Sequence, residues 1–193
     1  MIRVVIADDH PALRAGLRTV LEAEPGIVVA GDTDGGEEGL WPLLNTVKPD
    51  LVLLDYHLPR GDGLQLCYRI KQQPPAPKVV LFTAYASPTL SLPAALAHAD
   101  ALVAKGVGAR ELFDVIRLVN RGERLLPPVS RTVLEEGNAK LDTADRALVG
   151  MLLDGTTEPE IATTLGLTSR DVRHRVHRLL AALQLDIPAA ESG

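Results

Sequence analysis

Leu51-Val52-Leu53-Leu54-Asp55 is a short apolar run closed by a carboxylate, and the chain repeats this arrangement with other polar endings. Ile2-Arg3-Val4-Val5-Ile6-Ala7 ends on Asp8-Asp9. Val79-Val80-Leu81-Phe82 ends on Thr83, and Ala101-Leu102-Val103-Ala104 ends on Lys105. Near-continuous aliphatic runs of this length read as strands buried on both faces of a parallel sheet. In an open parallel α/β sheet, ligands bind outside the carboxyl ends of the strands. Carboxylates, a hydroxyl and an ammonium gathered on that edge describe a metal-assisted phosphoryl site.

The segments between these runs have helical spacing. Pro11 opens a helix with Leu13, Leu17, Val20 and Leu21 on one face, and Pro25-Gly26 stops it. Ile27 to Gly31 reads as another strand. Glu37 to Val47 is helical through Leu40, Leu43, Leu44 and Val47, and Leu64 to Gln73 through Leu66, Cys67 and Ile70. Pro88 and Pro93 predict that the next helix is short or begins late. Ala109 to Asn120 places Leu112, Val115, Ile116 and Val119 inward. Strands alternating with helices predict an α/β fold, a five-stranded doubly wound parallel sheet with right-handed crossovers. It spans residues 1–122. Residues 123–140 read as a linker with one helix over Ser130 to Glu136. From Leu141 the strand patterns stop. Helical stretches over 143–153, 158–165 and 169–183, with turns at Gly155 and Gly166, predict a small all-α domain of helix-turn-helix proportions over 141–193.

The chain has 193 residues, 46% apolar and only 3% aromatic, so its core is aliphatic. A net charge of -5 excludes a global nucleic-acid signature, and any DNA contact must come from a local basic patch. Cys67 is the single cysteine, which excludes an intrachain disulfide and a cysteine metal cluster. No apolar run is long enough to span a bilayer, so no membrane partner is expected. A strand begins directly after Met1, leaving no secretory signal, and a cytoplasmic protein is expected.

Asp8, Asp9 and Asp55 would repel one another unpaired, and a set of hard oxygen ligands suits Mg2+. A carboxylate can attack a phosphoryl group to give an acyl phosphate. The metal and Lys105 would stabilise the charge on the phosphoryl oxygens, and Thr83 would donate its hydroxyl to one of them. Taken singly, an acid after a strand is more often a turn or cap residue. The four polar endings together outweigh that reading.

These residues carry a family resemblance. Residues 1–122 resemble the receiver domain of two-component response regulators. The matching stretches are Val5 to His10, Leu53 to Gly63, Leu81 to Ala84, and Ala104-Lys105-Gly106. The resemblance implies the strand order 2-1-3-4-5. It implies that Asp55 accepts phosphate from a histidine kinase, and that Thr83 and Lys105 contact the phosphoryl group. It implies an Mg2+ site made by Asp9 directly, Asp8 through water, Asp55, and the backbone carbonyl of His57. This sequence departs from the family at Leu102, where an aromatic is usual, at Pro93, and at His98, where glycine is usual. Those departures predict weak coupling between phosphorylation and output.

Leu141 to Leu185 resembles the LuxR/NarL-type helix-turn-helix, carried by Leu141, Asp145-Arg146, Gly155, Glu160-Ile161-Ala162, Leu165-Gly166-Leu167, Val172 and Leu179. Residues 168–183 hold Arg170, Arg173, Arg175 and Arg178 against the single acid Asp171, with His174 and His177 among them. Residues 141–193 hold more acids than bases, so one helix is basic on an acidic module. The resemblance implies promoter DNA binding, with a homodimer when active. Arg173 and Arg175 are the expected base or phosphate contacts, with Arg178 on phosphate. Asp171 and Glu158-Pro159 are unlike the family, and the sequence after Leu185 lacks the fourth helix. The reading is a phosphorylation-controlled transcription regulator. The alternative is a degenerate regulator acting mainly through protein contacts, with weak DNA binding or phosphorylation-independent control. No enzyme is expected: there is no Gly-rich phosphate loop ending in Gly-Lys-Ser/Thr, and His57 stands where a phosphatase would want a second acid.

Overall fold

The computed structural model describes residues 1–58, 61–84 and 87–183, in two compact units, Met1–Pro128 and Val129 onward. In the first unit β1 (Ile2–Ala7), β2 (Ile27–Thr33), β3 (Leu51–Asp55), β4 (Lys78–Thr83) and β5 (Ala101–Ala104) form one sheet. All neighbours in it are parallel, and the order is β2-β1-β3-β4-β5. β3 is central and buried at every residue, which is why its sequence is unbroken aliphatic up to Asp55. Val4, Ile6, Leu53, Val80 and Ile116 belong to one core cluster. Fully burying such a side chain contributes roughly 1.5–3 kcal/mol before entropy is counted.

The register sets what the strand ends share. Ala7 lies opposite Leu54, Asp55 opposite Phe82, and Thr83 opposite Ala104. The residues that follow β1 and β5, and the last residues of β3 and β4, therefore meet on one edge. The Lys105 N–H donates to the Thr83 carbonyl at 2.7 Å, extending that edge one step past β5.

The flanking helices are α1 (Pro11–Glu22), α2 (Glu37–Val47), α3 (Gly63–Lys71), α4 (Ser91–Leu96) and α5 (Ala109–Asn120). Proline occupies the first turn of α1, where its missing N–H is harmless. α4 is six residues long after a 3-10 turn at Pro88–Leu90, and Pro93 sits in its first turn. His98, in place of the family's glycine, still adopts the left-handed conformation, with φ 58. The Ala99 N–H donates back to the Ala94 carbonyl at 3.0 Å, so His98 closes the helix as a glycine would. Its ring stacks on Tyr68, centroids 6.0 Å apart, which offsets part of the left-handed cost of about 1–2 kcal/mol.

Three features were not foreseen. His57–Leu58 and Gly61–Asp62 pair as a short antiparallel ribbon; Pro59 and Arg60, part of the resemblance, lie outside the described residues. Asp100 is a buried carboxylate with its acceptors used. It takes the Val79 N–H at 2.8 Å and pairs with Lys71 at 2.8 Å and Lys78 at 3.3 Å, tying α3, β4 and β5 together. Leu125, expected in the linker, pairs with Ala101 of β5. Its N–H donates to the Asp100 carbonyl at 2.7 Å and its carbonyl accepts from Leu102 at 3.3 Å. The first unit thus runs past Gly122.

The second unit contains α6 (Arg131–Ala139), α7 (Thr143–Leu153), α8 (Glu158–Leu165) and α9 (Ser169–Ala182). Each start has a polar cap: Ser130, Asp142, Thr157 and Thr168. Gly166 ends α8 with φ 65, a conformation that favours glycine, and so sets the turn into α9. Val149, Ile161, Val172, Val176 and Leu180 are buried in this unit. The expected absence of a fourth helix falls beyond Leu183, outside the described residues. Among the described residues no helix is long and apolar enough to cross a membrane.

Gly63 opens α3 directly beneath the end of β3. A Cβ there would collide with the Asp55 carbonyl oxygen and stand 2.7 Å from Tyr56 Cα. Both neighbours are backbone, so the strand end itself would have to shift. Gly63→Ala is expected to destabilise the protein by about 1–3 kcal/mol in urea unfolding, the range for overpacking. A neutral outcome would show that this approach is not as tight as described.

Candidate functional site

The sheet edge brings together every residue proposed from the strand endings. Asp8, Asp55 and Thr83 are buried, at 2%, 3% and 0% exposure. Lys105 Nζ lies 2.7 Å from Asp8 Oδ2 and 2.8 Å from Asp55 Oδ2, so one ammonium bridges two carboxylates. The remaining Asp55 oxygen, Oδ1, accepts the His57 N–H at 3.2 Å, which fixes the residue whose carbonyl was expected to bind metal. Asp8 Oδ1 accepts the His10 N–H at 2.8 Å, and the Asp8 carbonyl accepts from Arg14 at 2.5 Å. Asp9 is less buried. Its Oδ1 lies 2.6 Å from His10 Nδ1.

Burial is the largest influence on Asp55 and pushes its carboxyl above the ordinary value; hydrogen bonding and attraction from Lys105 oppose this, and the charge on Asp8 reinforces it. For Lys105, burial alone would lower the ammonium. Its close contacts with Asp55 and Asp8, and their charges, outweigh it, and the net direction is upward. Lys105 is therefore charged at neutral pH.

One positive charge is set against three carboxylates. Ligand atoms of Asp8, Asp9, His10 and Asp55 all lie within 4.8 Å of one another. Asp8 Oδ2 and Asp9 Oδ1 are buried and receive no well-directed hydrogen bond, although each faces a cation or an imidazole. Hard, under-satisfied oxygens with excess negative charge fit a small divalent cation. His10, the last residue of the matching stretch Val5 to His10, is brought beside the acids by the fold, a part that the sequence reading does not assign it. Its signal was its position directly after the acid pair.

The basic helix is a second candidate surface. Arg170, Arg173, His174 and Arg178 of α9 are exposed, and Arg175 is half-buried. Arg173 and Arg175 are two positions apart, so they diverge by about 160° around the helix and look out from opposite flanks. The solvent-facing centre is instead Arg170, His174 and Arg178. Two of the arginines are already engaged: Arg173 lies 3.8 Å from Glu158 of α8, and Arg178 lies 3.4 Å from Asp145 of α7.

Residues 4–117 match the family model described as the response regulator receiver domain. The chain belongs to the response regulators. It is 30% identical, over 96% of its length and 90% of the relative's, to the DNA-binding transcriptional activator DevR/DosR of Mycobacterium tuberculosis. Among solved structures it is similar to response regulator ChrA of a heme-sensing two-component system: 28% identity, TM-score 0.54, covering 96% of this chain and 92% of that one. It is also similar to a LuxR-family two-component response regulator from Aurantimonas sp. SI85-9A1: 30% identity, TM-score 0.61, covering 70% of this chain and 97% of that one. The protein is a two-component response regulator that controls transcription.

In this response regulator the raised Asp55 carboxyl has a consequence for stability. The folded unit binds that proton more tightly than the unfolded chain does. The group's contribution is most favourable at acid pH and falls as pH rises from the ordinary carboxylate value through the raised one. Asp55→Asn removes the dependence. Without divalent cations its urea midpoint is expected to exceed wild type at pH 7, with the gap closing below the ordinary carboxylate range. A midpoint below wild type at pH 7 would contradict the assignment.

Proposed function

We propose that Asp55 accepts a phosphoryl group from the phosphohistidine of a histidine kinase. One observation carries this reading: the Asp55 carboxylate is buried and already bonded to the ammonium that a phosphoryl group would need. An Asp55 oxygen forms the bond to phosphorus while the bond from phosphorus to the donor imidazole nitrogen breaks, leaving an acyl phosphate. Lys105 then exchanges Asp55 Oδ2 for a phosphoryl oxygen while keeping Asp8. The Thr83 hydroxyl, at the adjoining end of β4, donates to another. Asp9, Asp55 and the His57 carbonyl, with Asp8 through water, would hold Mg2+, which would offset the negative charge that otherwise repels phosphate.

The first unit acts as receiver and the second as the DNA-reading module, with the connection between them within residues 123–140. Promoter DNA meets α9 through Arg170, Arg173, Arg175 and Arg178, and the active form is a homodimer. The supporting observation is a basic, solvent-facing helix following a glycine turn on an acidic unit. A second reading, action mainly through protein contacts, is favoured by the engagement of Arg173 and Arg178 with acids of their own unit. Leu102, where the family usually carries an aromatic, is half-buried and its backbone is held by Leu125, which favours weak coupling to output.

A small acyl-phosphate donor with Mg2+ is expected to add one phosphoryl group by intact mass, absent in Asp55→Asn. No uptake by wild type ends the phosphoacceptor proposal. Mg2+ at ten times its dissociation constant should stabilise wild type by about 1.4 kcal/mol in thermal unfolding. Asp9→Ala should lose most of that shift, and an equal shift in both would remove Asp9 from the metal set. For DNA, Arg170→Ala should weaken binding and reduce its salt slope by about 1. Binding that ignores all four arginines favours the protein-contact reading.

A further inference from the structure

Phosphate binding by a helix-turn-helix usually draws on N–H groups at helix starts and on basic side chains beside them. Here the N-cap amides of α8 and α9 are already taken by carboxylates of the chain itself. Glu160 accepts the Thr157 N–H at 2.9 Å, and Asp171 accepts the Thr168 N–H at 3.0 Å. Both carboxyls lie below their ordinary values because of these threonine bonds, so both are charged. Pro159 withholds a further N–H. Two arginines stand beside this junction, Arg170 in the first turn of α9 and Arg173 further along it, and Arg173 faces Glu158.

The two arginine–acid pairs of this unit differ in length and in how the acid is satisfied. Asp145 is buried, its Oδ1 has no hydrogen-bond partner, and Arg178 is the cation at its other oxygen. Removing Arg178 would strand a buried charge, so that pair holds α7 to α9. The Glu158 side chain is as sheltered as that of Asp145, both at 11% exposure, and both arginines are solvent-reachable; the Arg173 pair is set apart by its length, 3.8 Å against 3.4 Å. This is a long contact made by a reachable guanidinium, the kind of pair that exchanges easily.

We infer that Glu158 competes with DNA phosphate for Arg173, so that DNA binding proceeds by exchange of one anion for another. Glu158 is a positioning residue that weakens affinity. It holds the guanidinium on the α8 side until phosphate displaces the carboxylate. The inference rests on the proposed DNA reading of α9.

The test is a double-mutant cycle on the full chain, with anisotropy of a labelled mixed-sequence duplex at several salt concentrations. Glu158→Gln is expected to tighten binding by about two- to fivefold, the range for a long ion pair to a solvent-reachable arginine. In the Arg173→Ala background the same change should have no effect. Thermal unfolding of Glu158→Gln checks that α8 is retained, and Glu158→Asp, with a shorter reach, should fall between wild type and Glu158→Gln. Equal tightening in both backgrounds would mean general charge removal and would overturn the exchange. Arg173-dependent binding that Glu158→Gln leaves unchanged overturns this inference alone. Absence of duplex binding in every variant overturns the DNA reading as well.

Discussion

Two buried carboxylates, Asp8 and Asp55, share the ammonium of Lys105, and the sheet must keep three strand ends in register for that to happen. Each buried charge costs several kcal/mol to desolvate unless it is matched. A slip of one position in β5 would point Lys105 to the other face and leave both acids unmatched. Charge is not balanced there: Asp9 adds a third carboxylate against the single ammonium of Lys105. The fold and the site are thus one constraint, in which the strand order sets a pairing that favours a cation and then a phosphoryl group.

Much of this was legible in the sequence because buried parallel strands leave a plain mark. β3 and β5 are short aliphatic runs, and the polar residue at each run's end falls where the sheet opens. Helices with clear stops, such as Pro11–Glu22 and Glu37–Val47, were readable for the same reason. What was not legible depends on distance in space. The bridging of Lys105 between Asp8 and Asp55 needs the strand order β1-β3-β4-β5. The satisfaction of Asp100 by Lys71 and Lys78 needs α3 and β4 to meet. His10 needed the turn after β1, which brings its ring back over Asp9.

The two units differ in how far local pattern reaches. In α9 the arginines were visible, but their directions were not fully used: positions 173 and 175 cannot share a helix face. Their partners were hidden as well, because Glu158 and Asp145 belong to other helices. The acidic composition of residues 141–193 looked like background around a basic helix. In the folded unit part of that acidity is aimed at the arginines themselves.

Leu125 bears on how the receiver can be separated from the rest of the chain. By pairing with β5 it closes the outer margin of the sheet, and Arg124 reinforces it through the Ala99 carbonyl at 3.4 Å. A receiver cut at Gly122 would leave the amide of Leu102 and the carbonyl of Asp100 open on a short apolar strand. Such a margin is a template for strand addition between copies. Self-association of that fragment would then reflect the cut, and a dimer measured on it would say little about signalling.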